Sequence, residues 1–150
     1  MKKYYLLIML ILFTQCNYKP IYSKNNYNFE IKIIEFKENR FNKILSTRLK
    51  NYSYKKNNLF LYELKLLTSE NKSIISKNTQ GEALLLRMSI NVNVEVFEKG
   101  KQLMEKRYVD NFDYQNVNKK FELNNYEDQI RADIFNKIAD KILIDLSILK

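Results

Sequence analysis

The stretch LLLRMSINVNVEVF, residues 84–97, decides the fold of this chain. Between Arg87 and Glu95, polar or charged residues alternate with large apolar residues. Because successive side chains of a strand point to opposite faces, this alternation predicts a long strand with one dry and one wet face. Such a strand is typical of an antiparallel sheet that is open to water on one side. The apolar positions of one parity are Leu84, Leu86, Met88, Ile90, Val92, Val94 and Val96.

Three further strands are predicted around this one. Residues 98–101, EKGK, form a turn in which Gly100 is free to adopt a positive φ, and residues 102–114 return as the second strand of a hairpin. Upstream, residues 59–67 are rich in apolar side chains, and residues 29–36 alternate apolar with polar positions. The sheet is therefore expected to contain four strands.

Two segments have helical periodicity instead. From residue 39, apolar positions follow a spacing of three and four residues, which places them on one face of an amphipathic helix. Asn124, with Glu127 three residues later, resembles an N-cap and capping box, so the long C-terminal helix is expected to begin there. Its predicted apolar stripe consists of Ile130, Ile134, Phe135, Ile138, Ile142 and Leu146.

The order strand, helix, strand, strand, strand, helix predicts an α+β fold. We expect a two-layer sandwich in which two helices pack on one face of a mainly antiparallel four-stranded sheet. Residues 27–150 contain no repeat and no linker long enough to divide them, so they are predicted to form a single domain.

The N-terminal segment has the features of a lipoprotein leader. Lys2 and Lys3 precede the apolar run YYLLIMLILF at residues 4–13, which is shorter than the roughly 20 residues of a spanning helix. Cys16 follows and is the single cysteine of the chain. We therefore predict a signal peptide at residues 1–15, lipidation at Cys16, and a lipidated tether at residues 16–26 that holds the domain on a membrane.

Composition argues against an enzyme. The chain has no histidine, one cysteine and two glycines, which removes the commonest general base, any cysteine-pair redox or zinc site and any glycine-rich phosphate loop. Asp110 and Asp113 lie three residues apart on one predicted strand and so face opposite sides of the sheet. No catalytic residue, metal site or cofactor is predicted.

The formal net charge of +9 suits an anionic partner. Lys32, Lys65, Arg87 and Arg107 are all predicted to project from the wet face, where they could contact phosphates or a partner protein. Alternatively, they form an ordinary solvated surface in which they pair with Glu30, Glu63, Glu95 and Glu105 of the same face. The export signal argues against nucleic acid as the partner.

The segment after the predicted lipid site resembles a known family. CNYKPIY, residues 16–22, is similar to the Cys-Gly-aromatic-basic-Pro-Leu-Tyr segment of alphaproteobacterial lipoproteins of the LptE family, with Asn17 in place of glycine and Ile21 in place of leucine. The order of elements through Arg87, Arg107 and the final helix is similar too. The resemblance implies a non-enzymatic outer-membrane lipoprotein, lipid-anchored on the periplasmic side, that plugs the β-barrel LptD and assists lipopolysaccharide delivery to the cell surface.

Two alternatives remain open at the level of sequence. A periplasm-facing lipoprotein could carry a lipid in a cavity between sheet and helices, which the aliphatic row of residues 84–96 would line. A surface lipoprotein with a purely structural role would need no ligand at all. A stoichiometric barrel partner would favour the plug, and extractable lipid bound to the domain would favour the carrier.

Overall fold

The computed structural model describes residues 27, 29–36, 40–52 and 60–149. The predicted signal peptide, Cys16 and the tether at residues 16–26 lie outside these residues. The elements are β1 (Phe29–Phe36), α1 (Arg40–Tyr52), β2 (Phe60–Lys77), β3 (Ala83–Glu98), β4 (Lys101–Gln115) and α2 (Lys120–Ile148). Their order is the predicted one.

The four strands form one sheet in the order β1-β2-β3-β4. β1 pairs with β2 in parallel, whereas β2 with β3 and β3 with β4 are antiparallel. The parallel pair arises because α1 serves as the crossover between β1 and β2. Both helices contact the sheet and each other, which confirms the predicted α+β architecture.

The dry face of β3 is the centre of the hydrophobic core. Met88, Ile90, Val92, Val94 and Val96 are fully buried and belong to one apolar cluster with the buried stripe of α2 and with residues of α1. Each such side chain contributes roughly 1.5–3 kcal/mol through burial. The outer end of the same row is uncovered, since Leu84 is 50% exposed.

The hairpin turn has the predicted geometry. Gly100 adopts a φ of 80° and Lys99 a φ of 50°. Two consecutive residues with positive φ match the right-handed twist of the flanking strands. The glycine accommodates this conformation without strain on a side chain.

The predicted start of the C-terminal helix at Asn124 is wrong. α2 begins at Lys120, its N-cap is Lys119, and that residue makes no side-chain capping hydrogen bond. Leu123 packs against the core seven residues, or about two helical turns, before Ile130. Glu122 places a negative charge in the first turn, where the helix dipole favours it. Apolar contact and the dipole therefore extend the helix past the capping signal.

The predicted end of β2 near residue 67 is also wrong, because the strand continues to Lys77. The apolar alternation stops where Thr68, Glu70 and Lys72 follow on the helix side of the sheet. The backbone nevertheless stays paired with β3, whose residues 83–92 lie opposite residues 68–77. Ladder hydrogen bonds to β3 and partners from α2 therefore hold a strand whose own sequence is polar.

Candidate functional site

The side of the sheet away from the helices, here called the open face, carries all four predicted basic residues. The cross-strand register places Lys32 opposite Glu63, Lys65 opposite Glu95, Arg87 opposite Asp113, and Arg107 opposite Asn93. Directly opposed residues share a face of a sheet. The parity predicted from the sequence is thus the parity of the structure.

Two of these basic side chains are neutralised by neighbours. Lys32 donates to Glu63 at 2.9 Å, as the alternative of cross-strand pairing expected. Arg87 donates from Nε and Nη2 to the two carboxylate oxygens of Asp113 at 2.6 and 2.7 Å, a two-pronged contact that the sequence analysis did not assign. The hydrogen bond from Arg87 lowers the pKa of Asp113. Both residues are therefore engaged within the protein.

The described contacts of the other two are of a different kind. Arg107 donates to Asn91 Oδ1 at 2.8 Å, and the Lys65 ammonium lies 5.3 Å from the centre of the Phe97 ring. Arg107 lies near the hairpin end, whereas Arg87 is six residues further along β3, or about 20 Å at the rise of a strand. The structure brings the four residues to one face but not into one pocket.

The open face also exposes aliphatic side chains. Leu61, Leu67 and Val109 are 44%, 51% and 46% exposed, and the parity of each places it beside the charged residues. A mixture of polar and aliphatic groups is the composition of protein surfaces in general and also of many protein–protein interfaces. A surface that binds only phosphates would instead carry unpaired basic side chains.

The two carboxylates of β4 occupy opposite sides of the sheet, as the sequence predicted. Asp113 pairs with Arg87 on the open face. On the helix side, Asp110 Oδ1 accepts a hydrogen bond from the Lys137 ammonium of α2 at 3.2 Å, and the same ammonium lies 2.9 Å from Asp110 Oδ2. Each has its own basic partner. They do not form an acid/base pair.

Sequence reasoning missed a set of ionic contacts between the far half of β2 and α2. We call it the helix-face network, and it comprises Glu70, Lys72, Tyr114, Glu127 and Arg131. Arg131 donates from Nε and Nη2 to Glu70 at 2.6 and 3.0 Å, and the two side chains are only 9% and 8% exposed. Glu127 accepts from Lys72 and, at 2.7 Å, from the Tyr114 hydroxyl.

The electrostatics of this network are self-compensating. Burial alone would raise the pKa of Glu127, but hydrogen bonds from Lys72 and Tyr114 hold it below its ordinary value. The hydrogen bond to Glu70 raises the pKa of Arg131. Burial, followed by the hydrogen bond to Glu127, raises the pKa of the Tyr114 hydroxyl. Glu127, Arg131 and Tyr114 are therefore stabilised in their present protonation states, which indicates a structural role.

One signal in the sequence points toward the network. Glu70 and Lys72 keep the parity of Leu64 and Leu66, so a β2 strand that continues must turn them toward the helices. Charged side chains there require partners on the covering helix. Arg131 and Glu127 supply them from within the otherwise apolar stripe of α2.

Two features are absent from the described residues. Within residues 27–149, outside the gaps stated above, acidic side chains form no group that could hold a metal ion. In the same part of the chain, no helix combines the length and the apolarity that crossing a membrane requires.

Comparison with known families gives one match. The family model described as LptE, lipopolysaccharide-assembly, matches residues 28–146, which span nearly the whole described region. The comparison with curated proteins gave no match.

Several solved structures share the fold. Rare lipoprotein B from Shewanella oneidensis is 16% identical with a TM-score of 0.54, over 76% of this chain and 92% of that one. A minor lipoprotein from Acinetobacter baumannii is 17% identical with a TM-score of 0.56, over 79% and 94%. A protein from Caulobacter crescentus, described as a lipoprotein, is 15% identical with a TM-score of 0.61, over 80% and 88%. At these identities the likeness supports the fold alone.

Proposed function

Because the chain belongs to the LptE family of lipopolysaccharide-assembly proteins, a non-enzymatic component of lipopolysaccharide transport, we propose that it plugs and helps to assemble the outer-membrane β-barrel LptD. In this role it assists lipopolysaccharide delivery to the cell surface. The observation that carries the proposal is the family match over residues 28–146. The predicted lipid on Cys16 would hold the domain at the periplasmic side of the outer membrane.

The open face supports this role as the surface that meets the barrel wall. Its exposed aliphatic residues Leu67 and Val109 lie on either side of β3, and its charges are largely compensated within the sheet. A barrel wall that carries both polar and apolar side chains would complement the open face better than a row of phosphate groups would. Lys32, Lys65, Arg87 and Arg107 then contribute as separate contacts to the barrel or to the anionic glycolipid.

The first test is co-purification of the full chain. The C-terminally tagged protein is expressed in a Gram-negative host, extracted in mild detergent and analysed by mass spectrometry. We expect a stoichiometric outer-membrane barrel and an acylated Cys16. Recovery of the chain alone, or with bound lipid and no barrel, would contradict the plug.

Two sets of variants locate the contact. Leu67→Asp with Val109→Asp should abolish barrel recovery, because two aspartates would be desolvated against the barrel wall. The matched control is Leu84→Asp with Ile148→Asp, two aliphatic residues off the open face that are 50% and 71% exposed.

Charge reversal of Arg87 and Arg107 together should weaken recovery of the barrel with the fold retained, as checked by circular dichroism. Unchanged recovery in the charge-reversal variant would exclude a contribution of the basic residues.

A further inference from the structure

Helix α1 differs from the other elements in its charge. Its sequence, RFNKILSTRLKNY, contains four basic residues and no acidic residue. One stripe, made of Asn42, Leu45, Ser46 and Leu49, is buried against the sheet and α2. The outward stripe therefore carries positive charge that no acidic residue of α1 itself compensates.

The outward stripe forms a shallow depression that is largely open to solvent, here called the groove. The lining residues recur at helical spacing along one face, and the groove has a volume of about 620 Å³. Arg40 and Arg48 lie eight residues apart, which is about 12 Å along the helix axis. The groove is lined by Arg40, Lys43, Ile44, Thr47, Arg48 and Asn51.

The basic residues of the groove are less neutralised than those of the sheet. Lys43 and Arg48 have no acidic partner among the residues that the structure describes. Arg40 reaches Asp128 at 3.2 Å, but both side chains are more than half exposed and Asp128 is shared with Arg131. By contrast, Lys32, Lys106 and Lys137 each pair with a carboxylate.

We propose that the outward face of α1 docks on a phospholipid membrane surface whose head groups are anionic. Charge complementarity carries the proposal, because a cationic helix face gains free energy near anionic head groups. Guanidinium groups at two positions, with an ammonium between them, fit phosphate oxygens, and Thr47 and Asn51 add polar atoms at the same face. Docking would fix the orientation of the domain on the membrane to which the predicted lipidated tether would attach it. The proposal does not rest on the barrel partner.

The test uses the chain attached to vesicles through a maleimide lipid coupled to Cys16, its single cysteine and predicted lipid site. One sample contains phosphatidylcholine only, and the other contains phosphatidylcholine with phosphatidylglycerol. Samples in which the chain co-sediments with vesicles are treated with an amine-acetylating reagent, and the rate at each lysine is measured by mass spectrometry. We expect phosphatidylglycerol to slow the acetylation of Lys43 by about fivefold or more, with no change at Lys141, which is exposed on α2.

Salt and a charge-reversal variant sharpen the test. Ionic strength near 1 M, where the Debye length is about 3 Å, should remove the protection of Lys43. Arg48→Glu should reduce that protection about fivefold or more, whereas Lys120→Glu, the same charge change on α2, should leave it intact. Equal acetylation of Lys43 on both vesicles, or equal loss in the two variants, would overturn the proposal.

Discussion

Arg131 shows how a single buried charge is accommodated in this fold. Its guanidinium binds Glu70 of β2 and Asp128 of its own helix, and it lies 5.7 Å from the centre of the Phe41 ring of α1. One side chain thus joins a strand and both helices. A buried ion pair adds little net stability when it is complete, but removal of one partner leaves a charge without compensation.

The first prediction follows from this contact. Arg131→Met should lower the free energy of unfolding by about 3–5 kcal/mol, because Glu70 would remain buried without the guanidinium that pairs with it. Arg40→Met, at a side chain 69% exposed, should cost about 1 kcal/mol or less. Urea unfolding monitored by circular dichroism measures both. In the double variant Arg131→Met with Glu70→Met, most of the loss should be recovered, and a double variant as unstable as the single one would contradict the explanation.

A pH dependence follows from the carboxylates of α2. The hydrogen bonds to Glu127 and Asp145 hold the pKa of each below its ordinary value of 4.5 or 3.8, against the opposing effect of burial. A carboxylate with a lowered pKa in the folded state adds stability that is fully present above its unfolded pKa and is lost as pH falls through the folded pKa. The free energy of unfolding should therefore decline as pH falls below about 5 and continue to decline below 4.

Glu127→Gln isolates one part of that decline. The variant should be less stable than the unmodified chain at pH 7, and the two curves should converge in acid, where Glu127 is protonated in both states. Glu122→Gln is the matched control on the same helix, since the Glu122 carboxylate is 59% exposed. Thermal unfolding across the pH series measures the slopes. Identical slopes for the two variants would show that Glu127 contributes nothing specific.

At the scale of elements, β3 and α2 contribute most of the buried apolar side chains of the core. β3 is one of the two strands that pair on both sides, and its dry row belongs to the same apolar cluster as the stripe that includes Ile134, Ile138 and Ile142. The aliphatic row of the carrier hypothesis is thus part of a packed apolar cluster. Protein interiors of this kind are close-packed, so the cavity left by a deleted methyl group closes only in part.

A matched pair of valines tests this packing. Val94→Ala on β3, at a fully buried position, should lower the free energy of unfolding by about 2 kcal/mol or more. Val109→Ala on β4 makes the same chemical change at a position 46% exposed and should cost about 1 kcal/mol or less. Because both residues lie in strands, the difference between their losses of unfolding free energy in urea reports the effect of burial. Equal losses would indicate that β-propensity alone sets the effect.

Element boundaries show where local pattern fails as a guide. The central parts of β1, β3 and α1 were predictable because their apolar periodicity continues through each element. The start of α2 and the end of β2 were not, because contacts with the rest of the molecule extend both past their local signals. Leu123 packs on the core, and this contact favours an earlier start of α2. Arg131 donates a hydrogen bond to Glu70, so this charged residue of the continued β2 can be buried.

At the scale of the whole molecule, the positive charge is unevenly compensated. Most lysines and arginines of the sheet and α2 for which a contact is described face a carboxylate or an amide, whereas the outward stripe of α1 has few such partners. The net charge of +9 is therefore a poor guide to location. Four basic residues were predicted on the open face, and two of them, Lys32 and Arg87, pair with carboxylates there.

The sequence by itself determined the class of fold, the dry row of β3, the faces of Lys32, Lys65, Arg87 and Arg107, and the separation of Asp110 from Asp113. These follow from side-chain period, which is a property of the local backbone. The tertiary structure alone decided that β1 and β2 run parallel, that β2 continues to Lys77, and which carboxylate neutralises which cation. Those features depend on residues that are distant in sequence, and only packing of the helices on the sheet brings such residues within hydrogen-bond distance.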